Sequence, residues 1–77
     1  MRKILENAGY IGEGYGYSKQ TDNGIKTTHW VTLFGTGGLQ MYAYNTHDPE
    51  MEKVYDTGFI NCTPEQLQAL ITVLNQH

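Results

Sequence analysis

The clearest hydrophobic pattern in the chain is an apolar stripe near the C-terminus. Thr63 and Pro64 resemble a helix start, because threonine is a good N-cap and proline suits the first helical position. Gln66 completes a capping box with Thr63. Apolar residues then recur at helical spacing, at Leu67, Leu70, Ile71 and Leu74. The pattern predicts an amphipathic helix over 64–76 that packs this stripe against the core.

Upstream of this helix, β-rich composition and alternation predict strands. Glycine, asparagine, proline and clustered acids separate these segments and favour turns. Residues 2–8 favour a short helix, with a frayed arm as the alternative. The predicted strands span about 10–20, 26–34, 39–45 and 52–60. Residues 1–77 are therefore predicted to form one α+β domain, a three- to four-stranded antiparallel meander sheet with the C-terminal helix packed on one face.

The loop between the second and third predicted strands fixes their register. A two-residue turn at Thr36-Gly37, or a four-residue loop over the same span, pairs Phe34 with Leu39. The face beneath the helix then consists of Trp30, Thr32, Phe34, Leu39, Met41 and Ala43. The opposite face consists of His29, Val31, Leu33, Gln40, Tyr42 and Tyr44. Aromatic and aliphatic side chains on an uncovered face are typical of an interface.

The first predicted strand contains the unusual segment GYIGEGYGYS. The Asn23-Gly24 pair favours a two-residue type I′ turn, which pairs Tyr17 with Trp30. This register turns Tyr15 and Tyr17 toward the core and leaves Gly14 and Gly16 on the opposite face. If both tyrosines were exposed instead, the register would be off by one and they would form a stacking platform.

The stretch GEGYGYSK resembles the glycine-aromatic core of RNA-recognition motifs and cold-shock domains over a short length. That resemblance implies aromatic side chains that stack on bases. Those modules carry Lys or Arg before the first glycine, whereas this chain has Glu13 there. The spacing also departs from G-x-G-x-x-G and from the P-loop motif, which argues against a phosphate-binding loop.

The small size of the chain limits its core. A domain of 77 residues buries too little surface to be strongly stable, and the one cysteine, Cys62, forms no internal disulfide. Self-association is therefore expected. A lone thiol, no apolar leader and no apolar run of about 20 residues favour the cytoplasm over secretion or a membrane.

The net charge of −3 argues against binding to nucleic-acid phosphates, which needs clustered Lys and Arg. The acidic residues cluster before and within the last predicted strand, at Asp48, Glu50, Glu52 and Asp56. This acidic patch is interpreted as a surface that steers a basic partner, with a solvated hairpin edge as the alternative.

No group of residues has the spacing of a catalytic or metal site. Cys62 precedes a helix, where a thiol can be activated, but no histidine is placed beside it by the sequence. His29, His47 and His77 lack the spacing of metal ligands. The chain is thus predicted to be no enzyme, with a quiet, partly buried cysteine, no metal and no cofactor.

These patterns together predict a small binding or inhibitor protein that occludes or sequesters a partner as a homo-oligomer. The predicted binding face consists of His29, Val31, Leu33, Tyr42, Tyr44, Gly14 and Gly16. Small acidic chains of this kind are analogous to inhibitors that a phage or mobile element encodes, an analogy of size and charge only. The alternatives are an oligomeric sponge for a small nucleotide-like ligand, bound by tyrosine and glycine, and a single-stranded nucleic-acid-binding module.

Overall fold

A computed structural model describes residues 1–48, 50 and 53–77 of the chain. The elements in chain order are α1 Arg2–Asn7, β1 Ile11–Glu13, β2 Gly16–Asp22, β3 Lys26–Leu33, β4 Leu39–Asn45, β5 Tyr55–Asp56 and α2 Pro64–Leu74. The strands form one antiparallel sheet in the order β1-β2-β3-β4-β5. The predicted α+β class, the antiparallel meander and the C-terminal helix are confirmed.

The sheet has five strands because the first predicted strand folds back on itself. Glu13 pairs with Gly16, and a turn at Gly14 and Tyr15 separates β1 from β2. Gly14 has a φ of +66°, a left-handed conformation that glycine adopts without steric cost. Its position therefore ends β1 and lets β2 run antiparallel beside it.

The predicted start of α2 is confirmed in detail. Gln66 N donates to Thr63 Oγ1 at 3.1 Å, and Thr63 N donates to Gln66 Oε1 at 2.9 Å, which completes the capping box. Leu67 and Ile71 on the apolar stripe are buried. The helix ends at Leu74. In the described part of the chain, no helix is long and apolar enough to cross a membrane.

Both helices lie on the same side of the sheet, which we call the covered face. Arg2 Nε donates to the Tyr17 hydroxyl at 2.7 Å, and Lys19 Nζ donates to the Ala8 carbonyl at 2.6 Å, so α1 lies along β2. The helices and the covered face enclose one core. Its buried members are Leu5, Tyr10, Tyr17, Val31, Leu39, Met41, Leu67 and Ile71.

The predicted register of β3 and β4 is wrong by one residue. Leu33, not Phe34, pairs with Leu39, and five residues form the loop between them. Phe34 N donates to Gly38 O at 2.8 Å, and Gly37 has a φ of +96°. A loop with an odd number of residues moves the odd-numbered side chains of β3 onto the covered face.

The predicted register of β2 and β3 is also wrong by one residue. Asp22 pairs with Lys26 across a three-residue loop in which Gly24 has a φ of +95°, so Tyr17 pairs with Val31. Tyr17 is buried as predicted. Tyr15 is 66% exposed, so its predicted place in the core is wrong.

Gly12 is required where β1 approaches β2. A Cβ on Gly12 would collide with the Gly16 carbonyl and lie 2.9 Å from the Tyr17 Cα. We therefore expect Gly12→Ala to lower the free energy of unfolding by about 1–2 kcal/mol, as overpacking does. Hydrogen exchange of the β1 amides should accelerate with it.

The matched control for this variant is Gly16→Ala. A Cβ on Gly16 would meet no atom within 4 Å, and its φ is not positive. Its effect should stay within about 0.5 kcal/mol, as for ordinary surface substitutions. Equal losses in the two variants would contradict the proposed close approach at Gly12.

Candidate functional site

The side of the sheet away from both helices is the outer face. Strand alternation and the observed pairing place on it Gly16, Ser18, Gln20, Thr28, Trp30, Thr32, Gln40, Tyr42 and Tyr44. One row of directly paired residues crosses all five strands. It runs Ile11, Ser18, Trp30, Tyr42 and Asp56.

Aliphatic or aromatic side chains occupy three of the five positions in that row, at Ile11, Trp30 and Tyr42. Trp30 belongs to the central strand and is 40% exposed, although the sequence pattern placed it in the core. Ile11 is 81% exposed, on the far side of the small Ser18. The Tyr42 and Tyr44 rings meet edge to face with centroids 6.0 Å apart. An indole and two tyrosines are thus presented on one half of the outer face.

A charged pair borders these tyrosines. Lys53 Nζ lies 2.8 Å from Asp56 Oδ2, 5.0 Å from the Tyr42 ring centroid and 5.9 Å from that of Tyr44. Asp56 Oδ1 also accepts from Gln40 Nε2 at 2.8 Å. Hydrogen bonds from Lys53, Gln40 and the Gly58 amide hold the pKa of the Asp56 carboxyl well below its usual range. This carboxylate is therefore engaged within the protein.

The structure divides the predicted binding face. Tyr42 and Tyr44 lie half-buried on the outer face, and Gly16 lies opposite Thr32 on the same face. His29, Val31 and Leu33 turn to the covered face, where His29 and Val31 are fully buried. Their predicted place on the uncovered face is wrong, because the odd-length loops reverse the faces of β3. Gly14 lies in the turn between β1 and β2 rather than on either face.

The predicted acidic patch is also divided. Asp48 and Glu50 are exposed, and Glu52 lies outside the residues that the structure describes. Asp56 is engaged by Lys53 and Gln40. Asp22, which is not part of the predicted acidic patch, lines the same surface cavity as Asp48. Asp22 and Asp48 therefore lie together at the end of the sheet where β2 joins β3.

His29 forms the centre of a buried polar cluster on the covered face. Its Nδ1 lies 2.6 Å from the Tyr55 hydroxyl, and its Nε2 lies 2.8 Å from Thr21 Oγ1. Thr21 Oγ1 donates its only proton to the His77 main-chain oxygen at 2.9 Å, so it accepts from Nε2–H. Nδ1 then accepts the Tyr55 proton, and His29 is the neutral Nε2–H tautomer.

The electrostatics of this cluster keep His29 uncharged. Burial, followed by the charges of Lys19 and His77, lowers the pKa of His29 to about 4. Burial and the nearby Tyr10 raise the pKa of Tyr55. No local sequence pattern indicates this cluster, because Thr21, His29 and Tyr55 come from three different strands. Ala43 stands between His29 and Tyr55 in the pairing, and its small side chain lets the two rings meet.

The remaining candidate chemistry is weak. Cys62 is half-buried as predicted, and burial raises the pKa of its thiol, which opposes formation of a nucleophilic thiolate. Among the residues that the structure describes, no three His, Cys, Asp or Glu side chains are grouped to hold a metal ion. A comparison with known proteins found no matching family model, no similar curated protein and no similar solved structure.

Proposed function

We propose that the protein is a non-enzymatic binding module that covers a basic protein surface with its outer face and so occludes it. The observation that carries this proposal is the exposed indole of Trp30 in the central strand, beside Tyr42. Tryptophan and tyrosine supply much of the binding energy at protein interfaces when they are desolvated near the centre. Ile11 extends the same surface toward the sheet edge.

Charge favours a basic partner over an acidic or neutral one. The chain has a net charge of −3, and Asp22, Asp48 and Glu50 are exposed. These exposed carboxylates accelerate the approach of a positively charged surface, and salt weakens that steering. Asp56 contributes little to steering, because Lys53 neutralises it at 2.8 Å.

A second copy of the chain is a less favourable occupant of the outer face. Two copies would bring together net charges of −3 each, and no basic cluster is present to offset them. The small core favours self-association, but the charge opposes it at this face. The proposed contact therefore does not include a second copy, and self-association is left to be measured. Light scattering on the purified protein measures it directly.

The test replaces the aromatic anchors and compares a matched control. Trp30→Ser with Tyr42→Ser removes the centre of the outer face, whereas Val73→Ser removes an exposed apolar group, 59% exposed, from α2. A partner is captured from lysate with the unmodified protein, purified and titrated against all three proteins. The anchor variant should bind at least about 30-fold more weakly, as for an interface hot spot.

The control and the salt dependence make the test specific. Val73→Ser should bind within about twofold of the unmodified protein, since it lies outside the proposed contact. The association rate should fall as salt rises. Undiminished binding by the anchor variant, or a partner with an acidic contact surface, would overturn the proposal.

The nucleotide sponge is the second candidate, and the exposed Trp30 beside the half-buried Tyr42 favours it because indole and phenol rings stack on bases. A thermal-shift screen with nucleotides separates the two functions. A ligand at 100 times its Kd should add about 2.7 kcal/mol to stability. A shift that the anchor variant abolishes would support the sponge, and a flat response to every nucleotide would exclude it.

A further inference from the structure

The C-terminal residues are fastened to the turn between β2 and β3. Asn23 Nδ2 donates to the main-chain oxygen of Gln76 at 3.0 Å and lies 3.4 Å from that of His77. Thr21 Oγ1 donates to the His77 oxygen at 2.9 Å. We call these hydrogen bonds the C-terminal latch. The His77 ring lies beside Tyr55, with centroids 5.7 Å apart, so the latch closes over the polar cluster around His29.

The residue that donates most to the latch is also chemically labile. Asn23 precedes Gly24, and both are exposed. Asparagine is a thermolabile side chain, and glycine has no Cβ to hinder attack by its own backbone nitrogen. Gly24 N donates to Asp22 Oδ1 at 3.1 Å, so a carboxylate already accepts the proton that this nitrogen must lose.

We propose that Asn23 is a site of spontaneous modification whose conversion opens the C-terminal latch. The Gly24 backbone nitrogen loses its proton and attacks Asn23 Cγ, forming a C–N bond. The bond from Cγ to Nδ2 breaks, and Nδ2 takes up a proton and leaves as ammonia. Water then adds to either carbonyl of the cyclic imide, and the ring C–N bond breaks. The product is isoaspartate or aspartate, with no change of oxidation state.

The product cannot keep the latch closed. The Asn23 amide donates to main-chain oxygens, whereas a carboxylate only accepts hydrogen bonds. The new carboxylate would also place a negative charge next to the Gln76 and His77 main-chain oxygens, to which the amide nitrogen now lies 3.0 and 3.4 Å away. Residues 75–77 therefore detach from the turn, and the Thr21 hydroxyl loses its acceptor.

The closed latch also slows the reaction that opens it. The leaving group Nδ2 is engaged with the Gln76 main-chain oxygen, so the Asn23 side chain is not free to rotate toward the Gly24 nitrogen. Opening of the latch therefore has to precede the attack. Thr21→Val weakens the latch without altering Asn23 or Gly24, and it should accelerate conversion.

The first experiment incubates the purified protein at mildly alkaline pH and maps amide-to-acid conversion by peptide mass spectrometry. The other asparagines are internal controls, since each precedes a residue with a Cβ: Asn7, Asn45, Asn61 and Asn75. Asn23 should convert at least about tenfold faster than any of these, given the unhindered glycine nitrogen. Thr21→Val should raise the Asn23 rate by up to about tenfold, the worth of one hydrogen bond.

The second experiment measures hydrogen exchange of the C-terminal amides in Asn23→Asp, which reproduces one product. Exchange of the Asn75, Gln76 and His77 amides should accelerate by up to about tenfold, while α1 and β4 amides keep their protection. Equal conversion at all asparagines would overturn the modification site. Unchanged protection of the C-terminal amides in Asn23→Asp would overturn its effect on the latch. Neither result depends on the proposed binding function.

Discussion

Leu67→Ala should lower the free energy of unfolding by about 3 kcal/mol, within the range found for buried leucines. Leu67 is fully buried in the core that both helices form with the covered face. The substitution removes apolar contacts and leaves a cavity that the sheet cannot close, because the facing residues belong to hydrogen-bonded strands. Urea unfolding followed by circular dichroism measures the loss.

The size of this loss matters because the domain is small. A chain of this length is expected to have a total stability of only about 4–12 kcal/mol. One cavity at Leu67 therefore removes a large share of it and lowers the midpoint of unfolding markedly. The slope of the urea transition should stay unchanged, since the native fold still exposes the same surface on unfolding.

Val73→Ala provides the matched control on the same helix. Val73 points away from the core and is largely exposed, so its truncation should change stability by no more than about 0.5 kcal/mol. If the two variants lost equal stability, α2 would not pack on the sheet through the Leu67 side. The predicted amphipathic orientation of α2 would then be wrong.

The elements with local signals could be predicted from the sequence. The start of α2 depends on Thr63, Pro64 and Gln66, which act within one helical turn, and its buried side follows from the spacing of Leu67 and Ile71. The meander follows from glycine-containing turns between β-rich segments. These signals need no knowledge of distant contacts, which explains why the fold class was predictable.

The faces of the sheet could not be predicted in the same way. Leu39 and Met41 were correctly placed beneath the helix, but their partners depend on whether the loop before them has an odd or even number of residues. Standard hairpin turns favour an even number here, and a single residue reverses every side chain of β3. The structure uses five residues, and Gly38 is buried where a Cβ would collide with the Phe59 ring.

Residue type was misleading at two positions of β3. Trp30 is large and apolar, which suggests the core, whereas His29 is polar, which suggests the surface. The observed register places Trp30 on the outer face and buries His29, whose ring nitrogens are satisfied by Thr21 and Tyr55. These partners come from other strands, so they can be identified only once the strand register is known. The exposure of Trp30 is consequently the feature of the candidate site that could not be predicted from the sequence.

The burial of His29 leads to an expected pH dependence of stability. Acidification from neutral pH to about pH 4 should lower the free energy of unfolding by at most about 3 kcal/mol through this residue. Burial holds the folded pKa at about 4, against an ordinary value of 6.5. Between these values the unfolded chain binds a proton that the native protein does not bind. Stability therefore rises with pH across this window and is lost as pH falls.

The His29→Gln variant tests the assignment of this window. Glutamine does not titrate, so the slope of stability against pH between about 4 and 6.5 should largely disappear. At neutral pH the variant should be less stable by about 1–3 kcal/mol, because Tyr55 or Thr21 loses a buried partner. His47→Gln replaces an exposed histidine and should leave the slope as it is in the unmodified protein.

Asp56, a second group with a strongly lowered pKa, titrates outside this window. Asp56 has its folded pKa held below the ordinary 3.8, so its contribution is present above that value and is lost only in more acidic solution. A loss of stability between about pH 6.5 and 4 therefore reports on His29 and not on Asp56. If His29→Gln kept the full slope of stability against pH in that window, protonation of His29 would not oppose folding. The assignment of His29 as a buried neutral tautomer between Thr21 and Tyr55 would then be wrong.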